Sequence, residues 1–192
     1  MKSGMESKAV TLPVTLPVTL QQDTATLQGT LENGLLNGSL HIQDSQLPLA
    51  QLNYAEGQLH GLSLLQHPNG KTSARLPYVE GRLHGTAEYF AGDGCLLRRE
   101  SWQDGQRHGE SRTLFADGSP QEIAPYRQGL LHGQRERFHP NGQLAEQQTF
   151  SHGQPRSPAQ AYAPDGRPLD NAGKPLPWWK YFWLKWVGDL PE

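Results

Sequence analysis

The apolar positions of this chain recur every 24 residues, a period that belongs neither to a helix nor to a single strand. One aromatic column reads Tyr54, Tyr78, Trp102, Tyr126 and Phe150. A second, mostly apolar column reads Ile42, Gln66, Phe90, Leu114, Phe138 and Tyr162. Glycine keeps the same step at Gly57, Gly81, Gly105, Gly129 and Gly153, and again at Gly70, Gly94, Gly118, Gly142 and Gly166. His60, His84, His108 and His132 follow it too, each directly before a glycine. Self-similarity at a fixed step of this length marks a stacked repeat architecture.

Each unit reads G-x-x-H-G, an apolar position, an Asp-Gly or Asn-Gly pair, then the aromatic. Gly81-Arg82-Leu83-His84-Gly85, Phe90, Asp93-Gly94 and Trp102 form one copy. The segments between glycine-bearing sites run to about 7–8 residues, a length that suits strands rather than helices. Asp-Gly and Asn-Gly pairs are strong hairpin signals. Each unit is therefore expected to be a β-hairpin, with G-x-x-H-G as the second loop. Together the units predict an all-β chain, an elongated antiparallel β-meander or solenoid of about five and a half 24-residue hairpin repeats. Alternation is weak in the strands ending at Trp102 and Phe150, which carry Arg98, Glu100, Glu146 and Gln148 on the aromatic side. That predicts narrow aromatic ladders on an otherwise polar sheet.

The flanks differ. Residues 1–30 read as an N-terminal arm or edge strand, 31–170 as the repeat sheet, and 171–192 as a Trp-rich tail. Leu12, Val14, Leu16, Val18 and Leu20 alternate with Thr and Pro, and Pro13 and Pro17 exclude a central strand. In the tail, Trp178, Trp179, Phe182, Trp183 and Trp186 fall on one helical arc of about 140°, with Lys180, Tyr181 and Lys185 elsewhere. Pro175 and Pro177 precede it, as suits a helix start. Such a segment could cap the open sheet end, bind a partner, or lie in a membrane interface. It is too short to span a bilayer.

Composition narrows the function classes. Of 192 residues, 35% are hydrophobic and 19% charged, with a formal net charge of -2. That balance leaves no electrostatic footprint for nucleic acid. Cys95, the lone cysteine, excludes an internal disulfide and a cysteine-cluster metal site. With no leader pattern, the expected compartment is the cytoplasm. The His column would sit about 10 Å apart from copy to copy, too far for shared metal ligation. A turn histidine bonded to local backbone is the expectation instead. His67-Pro68-Asn69-Gly70 and His139-Pro140-Asn141-Gly142 read as two copies of one turn. Gly70-Lys71-Thr72 lacks the upstream glycine of a phosphate loop, since Leu65 stands there. No nucleophile elbow or repeated carboxylate pair is present. Neither an enzymatic activity nor a cofactor is expected.

G-x-x-H-G, an aromatic three residues before its first glycine, and the Asp/Asn-Gly turn resemble MORN-type repeats over about residues 31–169. The nearest variant resembles the bacterial YwqK-family antitoxins. The chain departs from the eukaryotic MORN pattern at Ser63, Ala87, Ser111 and Arg135, where that pattern has a further glycine. The resemblance implies a non-enzymatic antitoxin or immunity protein that neutralises a cognate toxic effector by protein–protein contact. The residues expected to carry binding are Trp178, Trp179, Tyr181, Phe182, Trp183 and Trp186 in the tail and Tyr78, Trp102 and Tyr126 in the ladder. A scaffold or membrane-associated adaptor is the other class, through weak membrane contact of the tail.

Overall fold

A computed structural model describes residues 14–188. Leu12 and Pro13, and residues 189–192 at the end of the tail, lie outside the described residues. The strands form one antiparallel sheet in which each pairs with its neighbours in sequence, from Thr15–Gln22 to Gln160–Ala161. This is the hairpin meander that the 24-residue period predicts. Ala25–Glu32 crosses the expected boundary after residue 30 without a break, so the first hairpin belongs to the same sheet.

Two kinds of turn alternate, one along each side of the sheet. On one side lie two-residue turns, Glu56-Gly57, Glu80-Gly81, Asp104-Gly105, Gln128-Gly129 and His152-Gly153. Both residues of each have positive φ, about +50° and +75° to +80°. This is the type I′ geometry that matches strand twist. Each turn glycine donates its N–H to a carbonyl one repeat earlier, as in Gly81 to Leu59 and Gly105 to Leu83. The turns therefore stack into a continuous ladder of their own.

On the other side, the Asp/Asn-Gly pairs form three-residue turns. In His67–Lys71, Gly70 N–H donates to the His67 carbonyl and His67 N–H to the Lys71 carbonyl. Only the glycine has positive φ, +80°. This is a type I turn closed by a glycine bulge. Pro68 and Pro140, with their own φ fixed near −65°, suit the first central position of this type I turn. The Asn or Asp side chain holds the turn. Asn69, Asp93, Asp117, Asn141 and Asp165 each accept the backbone N–H two residues on, at 2.8–3.1 Å.

G-x-x-H-G is thus not a single loop. Its first glycine ends a type I′ turn, two residues pair, and the His-Gly step then bulges from the ladder. In the first of these strands, Gln58–Leu59 and Gly61–Gln66 are two parts of one strand broken at His60. Pairing moves from Tyr54↔Leu59 to Gln51↔Leu64, which leaves two extra residues on the bulged strand. The bulge leaves no space for a side chain at Gly133, where a Cβ would lie 2.9 Å from Pro125 Cγ.

The edge explains Pro17. Asn33 N–H donates to the Val14 carbonyl, so even-numbered residues of the first strand bond inward and odd-numbered ones outward. Pro17 therefore puts its missing N–H on the open edge, where it costs no ladder bond and blunts strand addition.

Candidate functional site

Cross-strand register places the aromatic column on one face, together with the residues two positions before each aromatic. These are Leu52, Leu76, Glu100, Ala124 and Gln148. This ladder face changes character along the sheet. Near the N-terminal end it carries Leu27, Leu40, Ile42, Leu52, Leu65 and Leu76. Toward the C-terminal end it carries Arg98, Glu100, Glu122, Arg135, Arg137 and Glu146. The expectation of a polar sheet throughout holds only for the second half. The leucines of the first half flank the ladder rather than leaving it narrow.

How can a single-layer sheet bury anything? Small residues and long cations do it. Ala74, Ala87, Ala124, Ser63 and Ser111 are buried. They stand where larger side chains of neighbouring strands close over them. Phe150 is the one buried ladder aromatic, at 9% exposed, whereas Tyr54, Tyr78, Trp102 and Tyr126 are intermediate. Guanidinium groups lie over the rings: Arg107 over Tyr126 at 4.0 Å, Arg98 over Tyr89 at 4.6 Å, and Arg135 over Phe150 at 5.2 Å. These contacts pair cation with π-face and cover apolar area with arginine stems.

Glu100 is the notable charge on this face, buried at 5%. Trp102 Nε1 donates to its Oε2 at 3.2 Å, and Arg98 Nε lies 3.5 Å from Oε1. Burial first, and the Glu100 carboxylate second, push the Tyr89 phenol above its usual value. In the sequence Glu100 stands out only as a break in alternation. Its position in the column of Leu52, Leu76 and Ala124, otherwise apolar until Gln148, was the signal for a buried acid. Farther along, Arg137 bridges Glu122 at 2.8 Å and Glu146 at 3.9 Å. The face thus ends in an ordered row of Arg and Glu.

The histidine column behaves differently from expectation. Two of its rings, those of His84 and His132, reach the next repeat's turn rather than local backbone. His84 Nδ1 lies 3.3 Å from Asp104 Oδ1, and the His132 and His152 rings meet edge to face at 5.2 Å. The bulge turns the side chain out of the ladder and over the stacked turns. His67 and His139 do bond backbone, but one repeat ahead, at the Phe90 and Tyr162 carbonyls, each 2.9 Å. Both are inter-repeat stitches. Among the described residues no group of three or more His, Cys, Asp or Glu could hold a metal ion. Cys95 is exposed, and the Asp93 side chain beside it raises its thiol pKa.

The sheet narrows after Phe150. Residues 160–162, 168–169 and 175–176 continue only the side with three-residue turns, through bridges Tyr162↔Pro168 and Leu169↔Pro175. A cleft of about 460 Å³ opens in the resulting notch. Its wall residues largely satisfy one another, with Gln134 bonded to Gln147 at 2.9 Å and Gln147 to Tyr162 Oη at 2.7 Å.

The tail then forms a helix, Trp178–Gly188. Pro177 accepts its first hydrogen bonds, from Lys180 and Tyr181 N–H. Arg167 ties it to the last turn: its guanidinium donates to the Leu176 carbonyl at 3.1 Å and lies 5.0 Å from the Trp178 ring. Tyr181 is half-buried, while Trp178, Trp179, Phe182, Trp183 and Trp186 are 48–73% exposed. The helix therefore does not lay its aromatic arc over the sheet end, and a capping role is not what this arrangement performs. The tail aromatics and the ladder aromatics Tyr78, Trp102 and Tyr126 are separate surfaces. No helix among the described residues is long and apolar enough to cross a membrane.

Comparison with known proteins agrees with this geometry. Residues 131–152 match the MORN repeat variant family. The match spans the His132-Gly133 bulge, the Asn141-Gly142 turn and the aromatic Phe150. No curated protein matches the chain. The chain thus carries a MORN-type repeat, and its hairpin architecture extends the same unit across the sheet.

Proposed function

We propose that this chain is a non-enzymatic repeat scaffold that binds a protein partner along the ladder face. Its finer role would be that of a bacterial antitoxin or immunity protein acting on a cognate toxic effector. The observation that carries the reading is the makeup of that face. Half-exposed Tyr78, Trp102 and Tyr126 stand beside ordered arginines on an extended open sheet. Tyr, Trp and Arg dominate interface hot spots, and stacked repeats present long binding surfaces. The antitoxin role is supported by the resemblance of the repeat motif to the YwqK-family pattern.

The test is co-expression with the product of the adjacent gene, followed by affinity capture of the tagged full-length chain. A stoichiometric complex, lost in Arg98→Glu/Arg137→Glu with the sheet intact by circular dichroism, supports the reading. Capture unaffected by both reversals, or no complex and no protection from toxicity, contradicts it.

A further inference from the structure

We infer that the C-terminal helix is an interfacial membrane anchor that seats on an anionic lipid surface. The helix Trp178–Gly188 has 11 residues, about 16 Å of rise, far short of a bilayer. It is long enough to lie flat in a headgroup region. Its five exposed aromatics are Trp178, Trp179, Phe182, Trp183 and Trp186. At about 100° per residue they occupy one arc of about 140°. Lysine positions 180 and 185 fall about 60° and 20° beyond the two ends of that arc. Aromatic rings at the headgroup boundary with flanking lysines reaching phosphate is the pattern of an interfacial helix.

Charge favours this occupant. Within the helix the charged residues are Lys180 and Lys185, with Lys174 before it, while Asp170, Asp189 and Glu192 border the segment. Orientation favours it too. Tyr181, off the arc, is the half-buried aromatic, and Arg167 fixes the first turn against the last hairpin. The helix is thus held at its first turn, through Tyr181 and the Trp178 end of the arc, and the rest of the arc stays outward. A protein groove is the other class of occupant for such an arc. The lysine flanks and the predominance of Trp over aliphatic residues favour lipid.

Tryptophan fluorescence tests this directly, because four of the five tryptophans lie in the helix. Full-length protein is mixed with vesicles of phosphatidylcholine alone or with phosphatidylglycerol added. The expected result is a blue shift and co-sedimentation with the anionic vesicles, reduced severalfold by high salt. The variant Trp179→Ala/Trp183→Ala/Trp186→Ala should lose at least about tenfold in partitioning with its β-sheet spectrum unchanged. Lys180→Glu should weaken anionic binding alone. Three results would overturn the proposal. One is an unshifted spectrum with both vesicles. Another is undiminished sedimentation of the triple variant, which would place lipid contact on the sheet. The third is burial of these tryptophans in a protein complex with no response to vesicles. Partner capture through the ladder face does not use these residues, so either inference can fail alone.

Discussion

Aromatic side chains fill two regions of this molecule and are packed to very different degrees there. In the ladder, Tyr78, Trp102, Tyr126 and Phe150 stand on strands whose neighbours supply arginine stems and cross-strand contacts, and the column is buried to half-buried. In the helix, five aromatics remain 48–73% exposed. The same residue types are packed into the sheet in one place, with only part of each ring left to a partner, and mostly exposed in the other. What separates them is the partner element: a ladder ring has a strand on each side, whereas the helix is anchored at its first turn and most of its arc is exposed.

This contrast can be broken most strongly at Phe150. Phe150→Ala removes the one buried ladder ring and should cost about 3 kcal/mol. A melting temperature roughly 6–12 °C lower is expected by calorimetry. Less is expected at Glu100. Glu100→Gln keeps an acceptor for Trp102 but loses the charge facing Arg98, and should cost about 1–2 kcal/mol. The same variant should lower the Tyr89 phenol pKa, part of whose rise comes from the carboxylate. Spectroscopic titration of tyrosinate would show this, and an unchanged titration would sever Glu100 from Tyr89.

The turns respond to acid. The Cys95 backbone N–H lowers the Asp93 pKa, the Ser119 hydroxyl lowers that of Asp117, and the Arg167 guanidinium that of Asp165. Their folded values lie below their unfolded ones. Their contribution is therefore complete above the ordinary carboxylate value of about 4 and is lost as pH falls through the lower folded values. Melting temperature should drop on acidification below about pH 4, and by less in Asp117→Asn, whose amide does not titrate. Trp186→Ala is expected to change stability least, by under about 0.5 kcal/mol, because its ring is 67% exposed.

Much of this is legible in the sequence. Turn chemistry is local, so the glycine columns alone located the hairpins and their order. Pro17 marked an edge for the same reason: a missing N–H has only one tolerable direction. The misread features are those that depend on neighbouring repeats. Whether G-x-x-H-G is one loop or a turn plus bulge depends on which residues pair across the strand. The His84 ring direction depends on the turn twenty residues later. The polar look of the strands at Trp102 and Phe150 concealed a ladder face that begins as leucine and ends as arginine and glutamate. Glu100 is the hinge of that gradient, buried by neighbours that no single strand reveals.

The most direct test of the division between a self-sufficient sheet and an outward-facing helix is thermal unfolding of the chain ended after Pro177, just before the helix, beside the full-length protein. Loss of the helix removes the Arg167–Trp178 contact and the Tyr181 packing and little else. The melting temperatures should agree to within roughly 3 °C, about 1 kcal/mol for a chain of this size. A fall several times larger, or loss of the β-sheet spectrum, would make the tail a cap that the sheet requires and would contradict an exposed interface.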